Sequence, residues 1–139
     1  MKTLHYQGFA KPCVCKYAIE EVDGKSCVLL VQGALGNTSI TNMVEVLVSR
    51  ILCDDLAGKH PSEVRVFEHY PPSHQPIRAW QEVTFDEHIP IKVDKGIFAK
   101  LLAVFAGPSS PEVWGVKNPV WNSLAYDQVP AQIRNLAKN

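Results

Sequence analysis

Gly33, Gly36, Asn37, Thr38 and Ser39 stand between an apolar run, Val28–Val31, and a helical pattern that follows. A glycine turn at such a junction aims free backbone N–H groups at whatever lies before the helix. A phosphate or carboxylate could sit there, favoured by the helix dipole. The same residues serve equally as a plain turn and N-cap. Their spacing is neither GxGxxG nor a P-loop, and the P-loop lysine is missing. Glu68, His69 and Tyr70 end a second apolar run. His69 is suited to take or give a proton near neutral pH. On a regular strand Glu68 and His69 point to opposite faces, and Tyr70 shares the face of Glu68. Only a bulge or the strand's end lets the three converge. They also read as strand-end residues with satisfied hydrogen bonds.

Other groupings carry less chemistry. A two-residue turn at Asp23-Gly24 sets Cys15 opposite Gln32 and Cys27 opposite Glu20, on opposite faces, which conflicts with a three-cysteine metal cluster. Cys53 falls on a helix, and no spacing matches a zinc pattern. We expect no metal and no cofactor. Asp86-Glu87-His88 offers two carboxylates and an imidazole, or a solvated turn. His60, after Gly58, reads as a loop residue. Trp80, Trp114 and Trp121 could stack on bases or sugars, or pack in a core or interface.

The elements that must position these residues follow from periodicity. Residues 13–22 and 26–32 flank Asp23-Gly24 as a hairpin. The stripe Ile40, Val44, Leu47 and Ile51 predicts a helix over 39–57, ended by Gly58. Residues 63–70 and 79–86 read as strands, with 89–93 a short extension confined to an edge by Pro90. The proline-rich stretch 71–78, with His74 and Arg78, is a loop. A very apolar helix over 95–106 starts at Asp94 and stops at Gly107-Pro108. Gly115 and Pro119 make 113–124 an irregular strand or packed loop. A last helix spans 128–137, with Pro130 in its first turn.

This order predicts an α/β (or α+β) fold. It would be a mixed sheet of four to five strands containing one right-handed strand–helix–strand unit, with about three helices packed on it. The 139 residues read as a single domain, 1–139, able to bury roughly two-thirds of its unfolded surface without disulfides or metals. Parallel strands would bring Gly33–Ser39 and Glu68–Tyr70 to one sheet edge, where open α/β sheets commonly bind ligands. An open pocket before Asn37–Ser39 would favour a ligand; Trp114 or Trp121 filling that edge would not.

Lys+Arg and Asp+Glu both number 14, so the net charge is zero and lacks the basic excess of a phosphate-driven nucleic-acid binder. Neutrality also eases self-association, and a homodimer is expected. No apolar run approaches the ~20 residues of a membrane helix, and the N-terminus shows no signal core, so a cytoplasmic location with thiol cysteines is expected.

Gly36–Asn42, Glu68–Pro71, Val83–Asp86 and Asn118–Trp121 together resemble segments of small uncharacterised bacterial α/β proteins, over residues 28–136. The resemblance implies one domain and supplies no catalytic residues. The leading functional reading is a protein that binds a small anionic ligand, or a partner, at Gly33–Ser39 beside His69 and Tyr70. One alternative is a small hydrolase or transferase with His69 as general base, Glu68 and Tyr70 nearby, and the helix start stabilising negative charge. Another is a purely structural or interaction protein.

Overall fold

A computed structural model describes residues 1–7, 12–31, 41–69, 80–91 and 113–137. Six strands form one sheet in the order of the sequence: β1 (Lys2–Gln7), β2 (Pro12–Val22), β3 (Lys25–Val31), β4 (Val64–His69), β5 (Trp80–Ile91) and β6 (Val113–Ser123). Neighbours are antiparallel except β3 and β4, which run parallel. Helix α1 (Thr41–Asp54) lies on the connection between that parallel pair, and α2 (Ala131–Ala137) ends the described chain.

Six strands, with two α-helices among the described residues, correct the expected four to five strands carrying about three helices. β1 was hidden because its short polar segment buries only Leu4 among the side chains described there. β5 is one strand through Pro90, where a strand and a separate extension were expected. β6 is a strand throughout Val113–Ser123, the irregular strand and not the packed loop of the two readings, with its irregularity at Asn118. The C-terminal helix starts only after Pro130, and a short 3-10 turn (Tyr126–Gln128) replaces its expected first turn. The expected helix over 95–106 lies outside the described residues, as does the proline loop 71–78.

The β2–β3 hairpin follows from its turn. Asp23 and Gly24 both take positive φ, 52° and 80°, which matches the right-handed twist of the flanking strands. The register that results pairs Glu20 with Cys27. β3 is apolar on both faces because both are covered. Val28 and Leu30 meet α1, while Cys27 and Leu29 meet α2, and all four are fully buried. Ile133 and Val129 fill the α2 side against Phe67 and Trp80.

The sheet curls around α1. On one side, Ser49 Oγ accepts from the Val116 N–H of β6 at 3.1 Å, and Glu45 Oε1 accepts from the Asn118 N–H at 2.8 Å. On the other, Arg50 Nη1 donates to the His5 carbonyl of β1 at 2.8 Å, and Lys2 pairs with Asp55 just past the helix at 3.1 Å. A flat six-stranded sheet would set β1 about 24 Å from β6, at ~4.8 Å per strand. That is far beyond an arginine reaching across a helix that itself lies against β6. Both sheet edges are therefore brought to one helix, which partly covers the backbone groups that an edge would otherwise expose.

β6 carries one local reversal. Val116 and Trp121 are five residues apart, so strict alternation would put them on opposite faces. Both nevertheless pack into the cluster against α1. The break falls at Asn118, whose φ is 59°, opposite Asp86, where the β5–β6 ladder skips a rung. Asn118 gives its N–H to Glu45 instead, and Pro119 has none to give.

Candidate functional site

The residues expected to act at the carboxyl ends of β3 and β4 are only partly described. Gly33, Gly36, Asn37, Thr38, Ser39 and Tyr70 lie outside the described residues. Glu68 is fully buried, on the α1 side of β4, and its Oε1 accepts a hydrogen bond from Trp121 Nε1. His69 projects to the α2 side, where its ring lies on Trp80 at 4.3 Å between centroids. Glu68 and His69 thus diverge, as strand alternation requires, and Trp121 occupies ground beside the carboxylate. Cys15 shares this core. Burial pushes its thiol up to about 12, with the Glu68 carboxylate adding to the rise. A thiol so held is a packing group at neutral pH. Cys27 is also buried and Cys53 is exposed. Among the described residues no three His, Cys, Asp or Glu side chains gather as metal ligands.

A second place in the fold is built differently. β4 and β5 pair only from Val66↔Val83 to His69↔Trp80. Beyond the Val66↔Val83 rung the strands part. β4 continues to Val64 alongside β3, while β5 runs on to Ile91 alongside β6. The split opens a cleft of about 330 Å³. Its apolar wall is Val48 and Leu52 of α1, Val66 of β4, Val83 and Phe85 of β5 and Val116 of β6. Because the cleft passes between strands, residues from both sheet faces line it. Small-molecule sites have this character: about 300–1,000 Å³, mostly apolar, with a few placed polar groups.

Polar groups border it as well. At the ladder end Arg65 grips Glu82 with two hydrogen bonds, Nε to Oε2 at 2.9 Å and Nη2 to Oε1 at 3.0 Å. Arg65 also lies over the Phe67 ring at 4.8 Å. The Glu82 hydrogen bond is the main reason the guanidinium's pKa rises further above its already high value. Lys25, Ser62 and His88 also line the cleft. The nearness of the first two follows from the register. Lys25 precedes Ser26, which sits opposite Val64, and Ser62 is two residues before Val64. His88 lies 5.5 Å from His60, whose ring rests on Trp114 at 4.4 Å. His60 Nδ1 accepts from the Ser62 N–H at 3.1 Å, capping the 3-10 turn Pro61–Glu63. His60 is therefore fixed in place beside His88.

The chain matches no family model, no curated protein and no solved structure. The site must be read from its own geometry.

Sequence reasoning missed this cleft. Its signal lies in unequal strand lengths: β4 has six residues and β5 twelve, so β5 must outrun its partner. Dividing 79–93 into two segments at Glu87-His88 concealed that mismatch. His88, read as one of a turn or metal triplet, lies within β5. No described helix is long and apolar enough to cross a membrane.

Proposed function

We propose that this protein binds a small molecule, and that the β4–β5 cleft is where it binds. The observation that carries the reading is the parting of two strands over a cavity with an apolar wall and a few polar groups in its lining. Parted strands leave ladder groups without their usual antiparallel partner, and a ligand supplies a reason for that arrangement. The expected anion cradle at Gly33–Ser39 falls outside the described residues. The reading with His69 as general base has less support, since Glu68 and His69 face opposite sides of β4.

A thermal-shift screen tests the proposal. A ligand at about a hundred times its dissociation constant stabilises by roughly 2.7 kcal/mol, or about 5–10 °C for a chain of this size. Val116→Phe and Leu52→Phe each push bulk into the cavity from a different element. Loss of the shift in both folded variants supports the cleft. An undiminished shift in both contradicts it.

A further inference from the structure

The charges bordering the cleft point to the class of ligand, given that the cleft is the binding site. Three charged side chains line it: Lys25, Arg65 and Glu82. Glu82, the one carboxylate among the described lining residues, is held by the bidentate Arg65 fork, so those two charges satisfy each other. Lys25 is exposed, lines the cleft and makes no ion pair among the described residues. The nearby cation Lys59 is already paired with Glu21 at 3.4 Å. The cleft thus has an apolar interior, a neutralised charge pair at its ladder end, and one exposed positive charge without an ion-pair partner among the described residues. One ammonium matches one negative charge better than two.

We propose that the ligand is a small carboxylate with an apolar body, its hydrocarbon part lying against Val66, Val83, Phe85 and Val116 and its carboxylate meeting Lys25. A neutral ligand would gain no charge–charge attraction from the ammonium. A cationic one would face it directly.

Phenylacetate and its neutral isostere phenylacetamide separate this class from the cleft itself. Binding is measured by calorimetry on wild type and Lys25→Met, with phenyl phosphate and phenethylamine as the dianionic and cationic arms. Toluene, followed by shifts in the NMR signals of the Val66 and Val83 methyls, reports on the cavity alone. The expected result is phenylacetate binding about tenfold or more tighter than the amide, the scale of one charge-assisted hydrogen bond, with that advantage lost in Lys25→Met. Lys25 is exposed on the first residue of β3, so its replacement leaves the fold intact. Equal or tighter binding of the amide, phenethylamine or phenyl phosphate overturns the carboxylate class. So does an unchanged preference in Lys25→Met, or a failure of all four probes while toluene still shifts the cleft methyls. Failure of toluene together with the four probes overturns the cleft reading as well.

Discussion

Ser49→Ala should destabilise this protein although it replaces a polar residue by the best helix former. The Ser49 hydroxyl accepts the Val116 N–H at 3.1 Å, and Val116 is only 4% exposed. Val116 lies on β6, an edge of the sheet, so no further strand is there to take that N–H. Contact is close enough that a Cβ on Gly115 would lie 3.5 Å from Ser49 Oγ and 2.9 Å from Ile91 Cδ1. Water has little room to substitute. An unsatisfied buried N–H costs about 1–3 kcal/mol, and alanine's higher helix propensity returns roughly 0.5 kcal/mol. The expected net loss is about 1–2 kcal/mol, read by urea denaturation. Amide exchange at Val116 should accelerate by more than at Val28, in the sheet's centre. Glu45→Gln is the control. It keeps an oxygen for the exposed Asn118 N–H and should cost less than about 0.5 kcal/mol. Ser49→Ala with wild-type stability and unchanged exchange at Val116 would refute the argument that α1 holds the β6 edge.

Tyr17→Phe removes the 2.6 Å hydrogen bond from the phenol to Asp55 and should cost about 1.5–3 kcal/mol at neutral pH. Burial first, then Asp55, pushes the Tyr17 pKa up to about 12 from 10, so this contribution is complete below pH 10 and lost as pH rises toward 12. Burial works to raise Asp55, but hydrogen bonds from Tyr17 and Lys2 outweigh it and hold the carboxyl below 3.8, so its contribution is complete above that pH and lost in stronger acid. The stability gap between the variant and wild type should narrow at both extremes in denaturation series across pH. A double-mutant cycle on Arg65→Met and Glu82→Gln should give a coupling of about 1 kcal/mol, the upper end for partly exposed pairs because the fork is bidentate. Ile133→Ala, fully buried beneath α2, should cost about 2–5 kcal/mol in urea unfolding, and a loss under 1 kcal/mol would mean that α2 contributes little to the sheet's second face.

Local chemistry made some elements legible and non-local pairing hid others. Asp23-Gly24 announces a two-residue turn and its register because both residues accept positive φ. Val44, Leu47, Val48, Ile51 and Leu52 announce a helix because its buried side repeats along the chain. β6 resists such reading. Its alternation inverts at Asn118, its ladder loses an N–H at Pro119, and its Gly115 makes room for Ile91 of β5, whose Cδ1 a Cβ there would meet at 2.9 Å. Each of these makes sense only once the neighbours of β6, α1 and β5, are known. The candidate site was obscured in the same way. A cleft between parted strands has no motif, because Lys25, Ser62, Phe85, His88 and Val116 come from four separate segments. Glu68 was visible as chemistry, but its burial against Trp121 depends on β5 and β6 completing the sheet.

The central claim is that the β4–β5 split holds a ligand. It is tested most directly by a methyl NMR titration of the protein with the strongest compound from the thermal-shift screen. Methyls of Val48, Leu52, Val66 and Val83 should shift together and saturate at one dissociation constant, while those of Leu29 and Ile133, on the α2 side, stay in place. Saturable shifts confined to methyls outside the cleft, with Val66 and Val83 unmoved, would contradict the account.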